Sequence, residues 1–495
     1  MGQIPLIDLL VIGGGINGAG IARDAAGRGL SVTLVEQSDL ASATSSWSSK
    51  LIHGGLRYLE QYEFRLVREA LQEREVLLKL APHIIRPLLF VLPHDTSMRP
   101  VWMIRTGLWM YDHLGGRITL PGSKRVQFPH MEFSAGLKSD FRDGFVYSDC
   151  RVDDSRLTII NAMSAREKGA TILTRTKFEG ARRVEGEWEA TVTDPAGKQH
   201  VIRAHAIVNA AGPWVMESLD HIEGDKIQGD VRLVKGSHII VPKVHSQRHA
   251  YILQNPDKRV VFIIPYESQF SLIGTTDVPV KTLQEAAHIT DSETDYLLTA
   301  ANRALAKQLT RADVVSTYAG VRPLYDDGSA NPSQVTRDYV LRLDHENNKA
   351  PLLTLFGGKI TTYRRLAEEV LKELQPFFPG LKGNWTDTET LPGGNVAHFN
   401  AFRDEMQKKY STLGRELVEG VVRRHGNRAT SVLGEARRLD DLGRHFGAGL
   451  TQREIEYLIR EEFASTAEDI LWRRTKCGLH MTAEQRDAVM SVIPA

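Results

Sequence analysis

Two clusters near the start of the chain have the residue types and spacing to do chemistry. The first is Gly13-x-Gly15-x-x-Gly18, within GGGINGAG. Its first glycine permits a tight turn, its second lets a pyrophosphate approach the backbone, and its third allows close helix–strand contact. A helix that starts there offers free N–H groups and partial positive charge to an anion. Glu36 falls where a carboxylate can accept hydrogen bonds from ribose hydroxyls, and its charge disfavours a 2′-phosphate. The second cluster is SSKLIHGGLRYLE at 48–60, where Lys50, His53, Arg57 and Tyr58 surround a glycine pair. From residue types alone, it suits ligand contact or a solvated surface loop.

The surrounding elements decide how the first cluster is read. Leu6 to Ile12 is a short apolar run suited to a buried parallel strand. Ile16 to Gly29 suits a helix packed closely on a sheet, and Ser31 to Val35 a second strand ending at Glu36. This β-α-β context turns a weak motif into a nucleotide site. The choice is NAD or FAD. QSDLASATSSWSSKLIHGG follows, a Ser/Thr/Gly-rich loop able to wrap a long cofactor with hydroxyl and backbone hydrogen bonds. A nicotinamide domain would normally continue directly with further β-α units.

Downstream, residues 63–81 have the spacing of an amphipathic helix, 84–92 are β-like, and 98–114 turn helical after Pro100. SRLTIINAMSAREKGA and TILTRTKF read as a helix and strand, and EWEATVTD with HVIRAHAIVNAAG as a hairpin. Residues 231–278 hold three strand-like runs that fit an antiparallel sheet. LLTLFGGKITTYRRLAEEVLKEL reads as strand, glycine turn and helix. Residues 384–394, rich in Thr, Gly and Pro, mark a linker, and 398–495 read as polar helices.

Composition sets limits. A chain of 495 residues suggests a few domains at roughly 100–200 residues each. A formal net charge of +1 gives no general attraction to nucleic acid. Cys150 and Cys477 make neither a disulfide framework nor a metal-ligand pattern, so no metal is expected. LIDLLVI lacks the basic leader of a signal peptide. No apolar run reaches the roughly 18 residues of a spanning helix, so only surface attachment to a membrane stays open.

Several longer segments now fix a resemblance. IGGGINGAGIARDAAGRGLSV, TSSWSSKLIHGGLRYLE, YSDCRVDDSRL, VNAAGPWV, LVKGSHIIVP, IGTTDVP, YAGVRPL, TRDY, LFGGKITTYR and DILWRRTKCGL resemble the FAD-dependent glycerol-3-phosphate dehydrogenases of the respiratory type, within the D-amino-acid-oxidase-like flavoproteins. The resemblance runs over nearly the whole chain. It implies a fold of class α/β plus α: a Rossmann-like FAD-binding domain, an antiparallel-sheet substrate domain and a helical C-terminal domain. The expected boundaries are 1–75, 145–225 and 315–380 for FAD, 76–144 and 226–314 for substrate, and 385–495 for the helices. The last has dimer contacts or a partner surface as its open roles.

The resemblance also implies the site. FAD contacts fall to Gly13, Gly15, Gly18, Glu36, Thr44, Ser45, Ser48, His53, Gly54, Ala211, Gly212, Gly357, Gly358 and Thr361. KLIHGGLRYLE would lie beside the isoalloxazine ring. Glycerol 3-phosphate carries a nearly dianionic phosphate, and arginine binds phosphate oxygens bidentately. Arg57, Tyr58 and Arg337 are therefore expected on the phosphate, and Arg322 nearer the C2 oxygen, where positive charge stabilises a developing alkoxide. His238 is expected as the base for the C2 hydroxyl, with a pKa near neutrality, and His53 is its rival. FGGKITTY is expected to begin a helix whose N-terminus faces the N1–C2=O edge of the flavin, with Lys359 adding a full charge.

Electrons would then pass to membrane quinone from a peripheral enzyme on the cytoplasmic face of the bacterial inner membrane. Residues 98–114 offer a contact, with Trp102, Ile104, Leu108, Trp109 and Tyr111 among Arg99 and Arg105. A buried core helix is the equal alternative for that segment, and the helix after FGGK is a second candidate contact. Two other classes stay open. One is a soluble oxidase of similar fold that returns electrons to oxygen. The other is a non-catalytic flavin protein that senses polyol phosphates.

Overall fold

The computed structural model describes residues 6–94, 100–116, 119–128, 132–224, 231–257, 259–326, 338–345 and 349–493. Two sheets and a helical C-terminal unit make up the architecture.

The first sheet has the strand order Val340–Asp344, Leu352–Phe356, Gln199–Asn209, Leu6–Ile12, Val32–Val35, Thr171–Leu173. Its four inner pairings, from Leu352–Phe356 through to Thr171–Leu173, are parallel. The hairpin of Lys177–Val184 and Glu187–Thr193 extends Gln199–Asn209 antiparallel. Parallel strands buried on both faces need continuous apolar runs, and Leu9, Leu10, Val11, Ile207 and Val208 are fully buried. The helix Ile16–Gly27 packs between the helices Asp154–Glu167 and Tyr363–Leu374. Its small residues allow that approach; Ala19, Ala22 and Ala25 have no exposed surface. Asp153 caps Asp154–Glu167 by accepting from the Arg156 N–H.

The second sheet has ten strands. Val231–Pro242 pairs antiparallel with Ser316–Tyr325 over ten residues and with Phe270–Gly274. Ile85–His94 pairs antiparallel with Asp143–Val152 along its whole length. The strands Leu51–Ile52 and Ser316–Tyr325, and all but the first two residues of Asp143–Val152, fall inside the ranges expected for the FAD domain, yet they belong to this second sheet. Their long-range pairing decides their place, and local apolar pattern does not carry that information.

Helices Phe399–Lys409, Arg415–His425, Ala429–Leu433, Gln452–Glu462 and Ala483–Met490 surround a core of their own, with Val418, Val421, Val422, Leu433 and Leu458 at its centre. A small hairpin, His445–Gly447 with Leu450–Thr451, joins them. The expected linker at 384–394 is instead laid against the nucleotide-binding unit. Trp385 donates to the Asp24 carbonyl at 3.2 Å, and the Leu391 N–H to the Leu80 carbonyl at 3.0 Å.

Candidate active site

The glycine motif takes the form its residues require. Gly13 has φ +107°, which favours glycine, and a Cβ on Gly18 would come within 1.9 Å of the Gly13 carbonyl oxygen. Glu36 closes the strand Val32–Val35 and accepts from the N–H of Gly14 at 2.7 Å and of Ser38 at 2.8 Å. Burial nevertheless pushes its carboxyl pKa up. Ser45 Oγ accepts the Ile16 N–H at 2.9 Å, fixing the first turn of the helix.

One cavity, about 530 Å³ in volume, runs from these glycines to the second sheet. Gly13, Gly15, Glu36, Ala211 and Gly212 line one part; Gly357, Gly358, Lys359 and Thr361 another; His53, Tyr58, His238 and Arg322 also border it. The loops are tied together. Asn17 donates to the Gly357 carbonyl at 3.2 Å, and the His53 N–H to Thr361 Oγ1 at 3.4 Å. Lys359 Nζ sits 4.2 Å from the centre of the Tyr58 ring. The glycine cradle, Glu36 at the end of the second strand and a cavity lined from Gly13 to Lys359 fit FAD.

His238 lies on the strand Val231–Pro242 and is buried. Its Nε2 shares a hydrogen bond with Ser49 Oγ at 2.9 Å, while Nδ1 has no hydrogen-bond partner among the described residues. The ring stacks on Tyr318 at 4.8 Å, and Tyr318 donates to the Ser48 carbonyl at 2.8 Å. Burial, then Lys50 and Arg322, lower its pKa to about 3, well short of the expected neutrality. The imidazole is thus neutral at physiological pH, with one nitrogen anchored. Arg322 Nη2 donates to Asp277 at 2.5 Å and to the Thr276 carbonyl at 3.1 Å, so part of its charge is already balanced. His53 is also held neutral, chiefly by burial, and its Nδ1 accepts the Gly55 N–H at 3.1 Å.

Several expectations need correction. Thr44 and Ser48 line the cavity, and their hydroxyls also donate within the protein, Thr44 to the Val321 carbonyl at 2.7 Å and Ser48 to Asp154 at 2.7 Å. Lys50 does not face the cavity. It turns away at φ +58° to Asp154, 2.8 Å distant, and to the Ser46 carbonyl, also at 2.8 Å. The helix after Gly357 and Gly358 begins only at Tyr363, so the glycines form a turn ahead of it. Gly54 is held from outside the cavity, its N–H donating to Tyr111 Oη at 2.8 Å. Arg337 and Arg99 lie outside the described residues, as does the side chain of Arg57.

Sequence reading missed Ser49 and Asn17, and gave Tyr111 a membrane contact in place of its bond to Gly54. Ser49 and Asn17 sit inside motifs already singled out, but only the folded chain shows which atoms they reach. Tyr111 belongs to the helix Val101–Leu114, which is two-faced: Ile104, Leu108 and Tyr111 are buried, whereas Trp102 is 67% and Trp109 61% exposed. The expected run of five contact residues is thereby cut to two.

Comparison with known proteins decides the family. A family model described as FAD dependent oxidoreductase matches residues 8–364. The chain belongs to the FAD-dependent oxidoreductases. A second model, described as the C-terminal domain of alpha-glycerophosphate oxidase, matches residues 384–495. The chain is 53% identical to a glycerol-3-phosphate dehydrogenase of Pseudomonas aeruginosa, covering 97% of this chain and 93% of that one. It is 52% identical to D-erythritol 1-phosphate dehydrogenase of Brucella abortus, covering 99% and 98%. Among solved structures, the glycerol-3-phosphate dehydrogenase of Bacillus halodurans complexed with FAD gives a TM-score of 0.75 at 27% identity, covering 98% of this chain and 93% of that chain. As a member of this family, the protein is an oxidoreductase whose cofactor is FAD. The Rossmann-like sheet, the mainly antiparallel sheet and the helical C-terminal unit are its three parts.

Proposed function

We propose that the protein oxidises sn-glycerol 3-phosphate to dihydroxyacetone phosphate and passes the electrons to membrane quinone. One observation carries the reading: a single cavity joins the dinucleotide glycines to His238, Arg322 and Lys359. The similarity to dehydrogenases of polyol phosphates supports the substrate class. Bound FAD would supply the two-electron acceptor for the C2 hydride. The chain's own groups do the rest. Neutral His238, steadied by Ser49, accepts the C2 hydroxyl proton. Arg322 stabilises developing negative charge on that oxygen. Lys359 places a fixed cation beside Tyr58, and a dianionic phosphate brought in by Arg57, Tyr58 and Arg337 raises the proton affinity of His238.

Among the described residues no helix is long and apolar enough to cross a membrane. The exposed Trp102, Met103 and Trp109 form an apolar face suited to peripheral attachment. Attachment places the protein on the cytoplasmic face of the inner membrane, as a homodimer in this reading. A second reading, oxidation of D-erythritol 1-phosphate, rests on the 52% identical relative. Values of kcat/KM for the two phosphates and for glycerol decide between them. A tenfold or larger preference for glycerol 3-phosphate supports the first reading, the reverse preference supports the second, and equal turnover of glycerol removes the phosphate assignment. The oxygen-using alternative predicts peroxide production without added acceptor, and the dehydrogenase reading predicts none.

A further inference from the structure

A second cleft lies away from the flavin cavity, between the second sheet and the C-terminal helices. Its volume is about 100 Å³, room for roughly three waters at ~30 Å³ each. Six cationic side chains border it, and three of them are matched. Lys50 is bonded to Asp154, Lys476 to Asp153 and Arg424 to Glu454. The other three, Arg86, Arg151 and Arg423, have no carboxylate within ion-pair distance among the described residues.

The backbone forces these three together. Arg86 and Arg151 are directly opposed across the antiparallel strands Ile85–His94 and Asp143–Val152, where like charges are destabilising. Arg423 enters from the last turn of Arg415–His425, on the other wall. Arg86 is held rigidly: its Nε donates to the His83 carbonyl at 3.2 Å, and its guanidinium stacks 4.3 Å above the Phe399 ring. Its Nη2 is buried with no partner among the described residues. His83, 1% exposed and bordering the same cleft, has neither ring nitrogen bonded among the described residues. Buried polar atoms left in this state are costly unless something else satisfies them.

We propose that this cleft is a binding site for a small phosphate-class anion, held by Arg86, Arg151 and Arg423. Its size suits a phosphate or a compact phosphate monoester. Burial first, and the positive field of Arg423 second, lower Arg86 to about 9 and Arg151 to about 10. Glu267 borders the cleft and Glu419 lies near it, and both offset that field only in part. An anion here would sit across Lys50 from His238. Lys50 borders this cleft, and its charge also acts on His238. Occupancy would therefore be felt at the flavin cavity through the 48–50 segment.

The test compares melting of the FAD-loaded protein with that of Arg151→Gln and Arg423→Gln, each in low-salt buffer with and without inorganic phosphate. Without phosphate, both variants should melt at or above the wild-type temperature, because one like charge is gone. Phosphate should raise the wild-type melting temperature more than it raises either variant's. Phosphate binding in the flavin cavity is common to all three proteins and cancels in the comparison. Equal rises in all three overturn the proposal. So does a wild-type rise reproduced by sodium chloride at the same ionic strength. Vesicles of phosphatidic acid that match the effect would assign the anion to a headgroup, and a response confined to soluble phosphate to a free ion; the site stands with either.

Discussion

Tyr111 Oη accepts the Gly54 N–H at 2.8 Å and donates to the Asp149 carboxylate at 2.7 Å. One phenol thus joins the helix that exposes Trp102 and Trp109 to the glycine turn beside the flavin cavity. Asp149 is itself held by Arg74 at 2.8 Å, so the network is buried and charged. Tyr111→Phe strands the Gly54 donor and removes one donor from Asp149. The expected loss is about 1–3 kcal/mol of stability, together with weaker FAD retention. Urea unfolding followed by flavin fluorescence reads both, and an unchanged midpoint would contradict the linkage.

Acid should destabilise the fold through buried histidines. Burial is the first cause lowering His238 and His249 to about 3 and His245 to about 4. An unfolded histidine titrates near 6.5. Below that pH the unfolded chain binds protons that the folded chain refuses, so stability falls as pH falls toward the folded values. Each group adds a slope of up to about 1.4 kcal/mol per pH unit in that window. His238→Gln should flatten the loss between pH ~6.5 and ~3, as measured by denaturant midpoints across that range. A slope equal to wild type would mean that His238 is not buried neutral.

The C-terminal unit should be needed to hold the cofactor loop. Arg473 Nε donates to Asp39 at 2.6 Å and Arg474 Nη2 at 2.8 Å, and Asp39 lies within the loop from Glu36 to Ser49, much of which lines the cavity. Asp39→Asn takes the ion-pair partner from the buried Arg474, while Arg473 keeps Glu468 and Asp469. The expected cost is about 3–5 kcal/mol, with FAD lost on gel filtration. Thermal unfolding measures the first and the absorbance of the eluted protein the second. A variant as stable and as yellow as wild type would show the two units to be independent.

Membrane attachment is expected to depend on two side chains. Trp102→Glu with Trp109→Glu should abolish co-sedimentation with anionic vesicles while flavin content stays constant. Both rings are solvent-facing, so no core packing is lost. Undiminished sedimentation would remove this face as the contact.

The elements that sequence reveals best are those whose cause is local. The strand Leu6–Ile12, the glycine turn and the helix Ile16–Gly27 follow from neighbours a few residues apart. Lys50 does not. Its partner Asp154 is 104 residues away, and the same amino group near His53 and Arg57 suggests a ligand contact from spacing alone. The seemingly linker-like 384–394 is polar in composition, yet Trp385 and Leu391 find partners on the nucleotide-binding unit that no window could show. Trp102 and Tyr111 sit on one apolar helix, and only the packing against Asp149 and Gly54 separates the buried face from the exposed one.

The most direct measurement is an anaerobic titration of the purified FAD-loaded protein with glycerol 3-phosphate, followed in the visible spectrum. The account predicts stoichiometric bleaching of the flavin band, absent with glycerol and restored by a quinone analogue. A flavin band that persists through excess glycerol 3-phosphate would contradict it, and the phosphate roles given to Arg57, Tyr58 and Arg337 would fall with it.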